Sequence, residues 1–205
     1  MTARANAVAG QPGHRSRRAS EDVEEAILSA TLEILDDSGF QGLTVEKVAA
    51  RAGAAKTAVY RRWPSKVPLV VEALTRAQPE LPVPDTGDLR TDMLRIWESA
   101  SGGGRYSVER LLPVVTAYMS ANGELMALMR DRYFRPRLEA MRVVVARAAA
   151  RGEIRPGTNP ELAFDLLFGP LAYRWLRGSP PDDETIGRLV GLALQGLGPP
   201  RDQDS

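Results

Sequence analysis

Apolar residues in this chain fall three and four positions apart, the spacing of helices that bury one face. No stretch alternates with period two, so the expected fold class is all-α. The first stripe, Val23, Ile27, Ala30, Ile34 and Leu35, predicts a helix that begins after Ser20 and stops at Gly39. A second, shorter stripe groups Val45, Val48 and Ala49 behind Thr44, whose hydroxyl can accept from a free first-turn amide. Gly53 closes it, because glycine enters the left-handed conformation at little cost. A third helix from about Ala55 to Arg62 turns Ala58 and Val59 inward and Lys56, Thr57, Tyr60 and Arg61 outward. Pro64 ends that run, since the residue before a proline is pushed away from helical angles. Ser65 opens a fourth, which carries Leu69, Val70, Ala73 and Leu74 to about Ala77.

Proline then punctuates the pattern. Pro79, Pro82, Pro84 and Gly87 within QPELPVPDTGD mark a stiff connector and the expected domain boundary. The predicted organisation is a disordered basic tail over 1–19, a head over 20–79, a helical body over 80–198 and a short tail over 199–205. In the body, Leu89, Met93, Ile96 and Trp97 share a helix face that ends at the Gly102–Gly104 turn. Leu111, Val115, Tyr118 and Met119 form the next. Asn122 caps a long stretch reaching Gly152, in which Pro136 predicts one kinked helix or two. Asn159-Pro160-Glu161 opens a broadly apolar helix, and a last one runs from about Asp183 to Leu197. These two carry more apolar surface than one buried face needs. The excess packs in a large core or against a second copy, with Leu162, Leu166, Tyr173, Ile186, Leu189, Val190 and Leu194 as candidate contacts.

Charge sharpens this picture. The net charge of +1 is unremarkable, but residues 1–20 carry four arginines and no acid, and residues 21–40 seven acids and no base. Residues 41–78 then hold seven bases against Glu46 and Glu72. Positive charge thus gathers on the tail and on the two short helices, where phosphate contacts would need it. Arg17 and Arg18 could form an arm reaching a minor groove, or simply solubilise the tail. No cysteine is present, which removes disulfides and thiolate chemistry and fits a cytoplasmic protein. His14 is the only histidine, so no metal site and no cofactor is predicted. No apolar run reaches the roughly 20 residues of a membrane span.

The segment Leu43 to Lys66, LTVEKVAARAGAAKTAVYRRWPSK, resembles the helix-turn-helix of tetracycline-repressor (TetR) family regulators. The residues that carry the likeness are Gly53, Lys56, Tyr60, Arg61, Trp63, Pro64, Ser65 and Lys66. Ala55 stands where many members have Ser, Ala58 where Thr is common, and Pro68 where Glu would complete a capping box. The resemblance implies a three-helix DNA-binding head on a body that binds ligand and dimerises through a four-helix bundle. It places Lys56, Thr57, Tyr60 and Arg61 against a major groove, with Thr44 and Lys66 on phosphates.

The expected function is a ligand-responsive transcriptional regulator, a homodimeric repressor released from an inverted-repeat operator by a small apolar molecule. Trp97, Tyr118, Met119, Met126, Met129, Tyr133 and Phe168 are the candidate pocket residues, chosen for aromatic and methionine content. Ordinary core packing is the competing account of each. Two other classes stay open: an architectural DNA binder without effector, and an all-helical enzyme. Against the enzyme, no serine, histidine or carboxylate group stands at catalytic spacing.

Overall fold

The structure, a computed structural model, describes residues 12–77, 82–101 and 108–198. Ten α-helices and one π-helical turn, joined by turns and short loops, are found in these residues, with no strand among them, so the all-α expectation holds. The head comprises α1 (Pro12–Gly42), α2 (Val45–Ala52), α3 (Lys56–Arg62) and α4 (Lys66–Ala77). The body follows as α5 (Leu89–Ser101), α6 (Val108–Met119), α7 (Gly123–Met129), α8 (Arg135–Ala150), α9 (Pro160–Leu176) and α10 (Asp183–Leu197). Residues 1–11 and 199–205, and with them most of the two expected tails, lie outside the described residues.

Two features of α1 differ from the sequence expectation. It begins at Pro12 instead of after Ser20, because proline suits a first helical turn: its φ is preset and no amide there needs a partner. Val23, assigned to the buried stripe, is 44% exposed, since the packed helices no longer cover that face one turn beyond Ile27. The break expected at Gly39 is present, although helical turns resume beyond it to Gly42. The Gly39 φ of 66° and ψ of −178° leave the helical region, and the redirected chain drops Phe40 into the core at 4% exposure.

The stretch from Asn122 to Arg151 is neither one kinked helix nor two separate ones. The Asn122 carboxamide accepts from the Leu125 amide at 2.9 Å to open α7. Residues Arg130–Phe134 then form a π-helical turn, in which the Arg135 amide reaches five residues back to the Arg130 carbonyl. Pro136 accounts for this: it has no amide hydrogen, and its ring crowds the preceding turn, which widens to admit it.

Apolar packing divides the described residues into two clusters, and the division does not follow the proline-rich connector. One joins Ile27, Leu35, Leu43, Val48, Val59, Leu69 and Leu74 of the head to Leu111, Val115 and Met119 of α6, Leu125 and Met129 of α7, and Tyr133. The other joins α5, α8, α9 and α10 around Ile96, Met141, Val144, Ile154 and Leu167. In α4 the consecutive residues Leu69, Val70 and Val71 are all fully buried. Three neighbours span roughly 200° of a helix surface. A helix buried that widely needs partners on two sides: α4 lies between α1 and the α7–π-turn segment.

The connector itself is tied to the body. Thr86 donates its amide and hydroxyl to one Asp92 carboxylate oxygen at 2.9 and 2.6 Å. Asp85 pairs with Arg147 and Arg151 at 3.6 and 3.5 Å. Asp88 caps α5 by accepting from the Thr91 amide at 2.8 Å, and the Leu89 amide donates to Glu153 at 2.6 Å. Residues 85–89 are therefore held against the C-terminal end of α8.

Candidate nucleic-acid interface

Local chemistry sets the two short helices. The Thr44 hydroxyl accepts from the Lys47 amide at 3.2 Å, capping α2 as its sequence position predicts. Gly53, at φ 63° and ψ 24°, turns the chain left-handed, and its amide satisfies the Ala49 and Ala50 carbonyls. Ala55 precedes α3 without a side-chain cap, so the first amides of α3 have no hydroxyl partner there. Val59 and Trp63, at 0% and 2% exposure, anchor one side of α3 in the first core. Lys56, Thr57, Tyr60 and Arg61 are exposed on the other.

Several polar side chains fix how these helices sit. The Arg51 guanidinium donates to Asp37 at 2.8 Å, tying the end of α2 to α1. Arg62, the last residue of α3, ion-pairs with Glu24 of α1 and donates to the Ser20 hydroxyl at 3.2 Å. Glu24 also receives Arg76 at 2.6 Å, and the Trp63 indole N–H donates to Glu72 at 2.9 Å. The C-terminal end of α3 is thus held by charged groups of both α1 and α4. Arg62, although adjacent to Arg61, points into this network.

Lys66 is half-buried, and its ammonium donates to the Phe40 carbonyl at 2.9 Å and the Leu43 carbonyl at 3.4 Å. It also lies 4.5 Å from the centre of the Phe40 ring. Two of its three N–H groups thus stitch α4 to the end of α1. Thr44 is exposed, with its oxygen accepting the cap bond. Arg17 and Arg18 lie on the N-terminal turns of α1, and their side chains fall outside the described residues.

Sequence reading missed Glu46. Its carboxylate, on the first turn of α2, accepts the Tyr60 hydroxyl at 2.9 Å. Its own backbone amide and the Tyr60 hydroxyl hold the Glu46 carboxyl below the ordinary glutamate value. The same hydrogen bond pushes the Tyr60 phenol up. Fourteen residues separate the partners, and no periodicity links them; only the turn at Gly53 does.

The pocket candidates do not gather in one place. Trp97 and Phe168 belong to the second cluster, with ring centres 6.4 Å apart. Tyr118, Met119, Met129 and Tyr133 belong to the first. Met126 is 38% exposed, because it lies on the outer face of α7, between the buried Leu125 and Met129. The Arg137 guanidinium lies 3.7 Å from the centre of the Tyr133 ring, and burial pushes its pKa down.

The candidate dimer contacts also separate. Leu162, Leu166 and Tyr173 on α9 are 64%, 43% and 65% exposed. Ile186 and Val190 are instead in the chain's own second core at 4% and 3%, because α10 turns that stripe toward α5 and α9. Leu189 and Leu194 are half-buried against the same cluster. Leu176 and Leu192, which the sequence reading passed over, are each 64% exposed.

Known proteins resemble both parts of this arrangement. Residues 27–73 match the family described as "Bacterial regulatory proteins, tetR family", and residues 83–193 match "Tetracyclin repressor-like, C-terminal domain". The uncharacterised HTH-type transcriptional regulator YdeS of Bacillus subtilis (strain 168) is 31% identical over 188 residues, 89% of this chain and 93% of that protein. A DNA-binding transcriptional repressor, TetR, of Mycobacteroides abscessus is 32% identical over 171 residues, 82% of this chain and 90% of its own. Among solved structures, a TetR family transcription regulator at 30% identity superposes with a TM-score of 0.64, covering 87% of this chain and all of the other. The match to YdeS over nearly the whole of both chains and the matches to both domain families agree, and the chain belongs to the TetR family of helix-turn-helix transcriptional regulators.

Proposed function

We propose that this regulator is a homodimeric repressor that grips an inverted-repeat operator through α3 and releases it when a small apolar molecule occupies the body. The observation that carries the DNA assignment is the division of α3: Val59 and Trp63 lock one side into the core, while Lys56, Thr57, Tyr60 and Arg61 are exposed on the other. Family membership and the M. abscessus relative's name, a DNA-binding transcriptional repressor, support repression. Dimerisation draws on the exposed Leu162, Leu166, Tyr173, Leu176 and Leu192 of α9 and α10, an apolar surface of the kind a second copy covers. A chain that works on operator DNA works in the cytoplasm; no helix of the described residues is long and apolar enough to cross a membrane. The relatives are named as transcriptional regulators, which favours a binding protein over an enzyme.

Footprinting on the DNA upstream of the chain's own gene, with wild type, Lys56→Ala and Arg61→Ala, tests the assignment. Protection of two symmetric half-sites that both variants lose is the expected result. Wild-type footprints with both variants would remove α3 from the interface. A protein that binds without sequence preference, and that no apolar compound displaces, would instead be an architectural binder.

A further inference from the structure

Glu46 is out of place by charge. It is exposed on α2, beside the exposed face of a recognition helix that carries Lys56 and Arg61. A carboxylate facing phosphates is repelled, so it weakens binding unless the DNA offers it a donor. The Tyr60 contact narrows what that donor can be. A phenol has one proton, and Tyr60 gives it to Glu46 at 2.9 Å. What remains toward the DNA is the lone pairs of the phenol oxygen and of the carboxylate. Neither can bond a phosphate oxygen, which only accepts.

We propose that Glu46 and Tyr60 form an acceptor-only patch that reads the amino group of a cytosine in the major groove, so that Glu46 sets base preference within each half-site. This rests on the assignment of α3 to the DNA. In the major groove the donors on base edges are cytosine N4 and adenine N6. Adenine sets its N7 acceptor beside the amino group, opposing the second acceptor of the patch. Cytosine presents the amino donor alone. The lowered Glu46 carboxyl and raised Tyr60 phenol keep the pair in this protonation pattern through neutral pH. The α2 position gives the pair its aim: Thr44 and Gly53 fix both ends of that helix, so the carboxylate is presented from a capped first turn.

The test is selection from a randomised DNA duplex library, followed by anisotropy titrations of the selected duplex and its single-base variants at fixed salt. The wild-type chain should hold cytosine at one position of each half-site. Glu46→Ala should lose roughly tenfold discrimination there, while its affinity for random duplex is unchanged or higher. Tyr60→Phe should reduce discrimination at the same position, and the double variant should be no worse than Glu46→Ala. Glu46→Gln keeps the size and the helical position and should move the preference toward adenine, whose N6 and N7 suit a carboxamide. It carries the test if circular dichroism shows that Glu46→Ala is misfolded. Unchanged cytosine preference in both Glu46 variants overturns the proposal. If Lys56→Ala and Arg61→Ala lose binding in that same experiment, only the Glu46 reading fails. If they too bind as wild type, the assignment of α3 fails.

Discussion

Lys66 and Arg61 sit five residues apart and are both cations near the recognition helix, yet they answer to different forces. The Lys66 ammonium is bonded to the Phe40 and Leu43 carbonyls in a half-buried position. Removing it leaves two carbonyls short of a charged donor, a change worth about 1–3 kcal/mol. Lys66→Met should therefore lower the thermal midpoint measurably. Arg61→Ala is at an exposed site and should leave the midpoint where it is, while operator affinity falls by about 1–3 kcal/mol and base discrimination relaxes at one position. The sequence made Thr44 and Gly53 legible because a cap and a left-handed turn are local chemistry, decided within four residues. The partners of Lys66 stand 23 and 26 residues away, and that of Glu46 stands 14 away. Such pairs exist only once the turns have placed the helices, and no spacing rule announces them.

Helix boundaries were readable where caps or breakers are strong, as at Asn122, Gly53 and Gly39, and less so where a proline can either start or disturb a helix. Pro12 starts α1, whereas Pro136 follows a widened turn that keeps the helix running. Helix faces were the harder part. On α9 the apolar pattern runs almost all round, so it cannot say which stripe faces inward; packing decides that Ala163 and Leu167 do and that Leu162 and Leu166 do not. This gives a paired test. Leu166→Arg, at an exposed site, should keep the circular dichroism of wild type and sediment as a monomer. Val190→Arg should unfold the body, since an unpaired buried charge costs several kcal/mol. Helix starts also respond to acid. Thr91 holds the Asp88 carboxyl below its ordinary value, and Thr185 does the same for Asp182. A carboxyl lowered by folding stabilises the chain above its unfolded value, and the benefit disappears as pH falls through the lowered value. The midpoint should therefore decline below about pH 4. Asp88→Asn with Asp182→Asn, which keeps both caps without their titration, should decline less over that range.

At the scale of the whole molecule, the connector looked in sequence like the seam between two units, but the apolar packing runs across it. Leu111, Val115, Met119, Leu125, Met129 and Tyr133 complete the core that α1 to α4 begin. An isolated head of residues 12–80 would expose the faces of α4 and α1 that these residues cover. It should melt well below the full chain or fail to fold cooperatively, as calorimetry of the two would show. The sequence carried no warning, because one buried stripe reads the same whether its partner lies nearby or fifty residues on. Only in the structure does the fully buried run Leu69–Val71 show that α4 has neighbours on two sides. The shared core also constrains how such proteins can be recombined. A hybrid cut at the proline-rich connector, joining this head to a relative's body, would set α4 against an α7 shaped for another surface. Its reading specificity and its response to effector would fail together, whatever the quality of the parts. Successful grafts should be those that carry the α6–π-turn surface along with the head, or that transplant only the outward residues of α2 and α3. Inheritance of DNA specificity in this lineage would then proceed by changes on those two short faces, leaving the inner side of the head to evolve in step with the body.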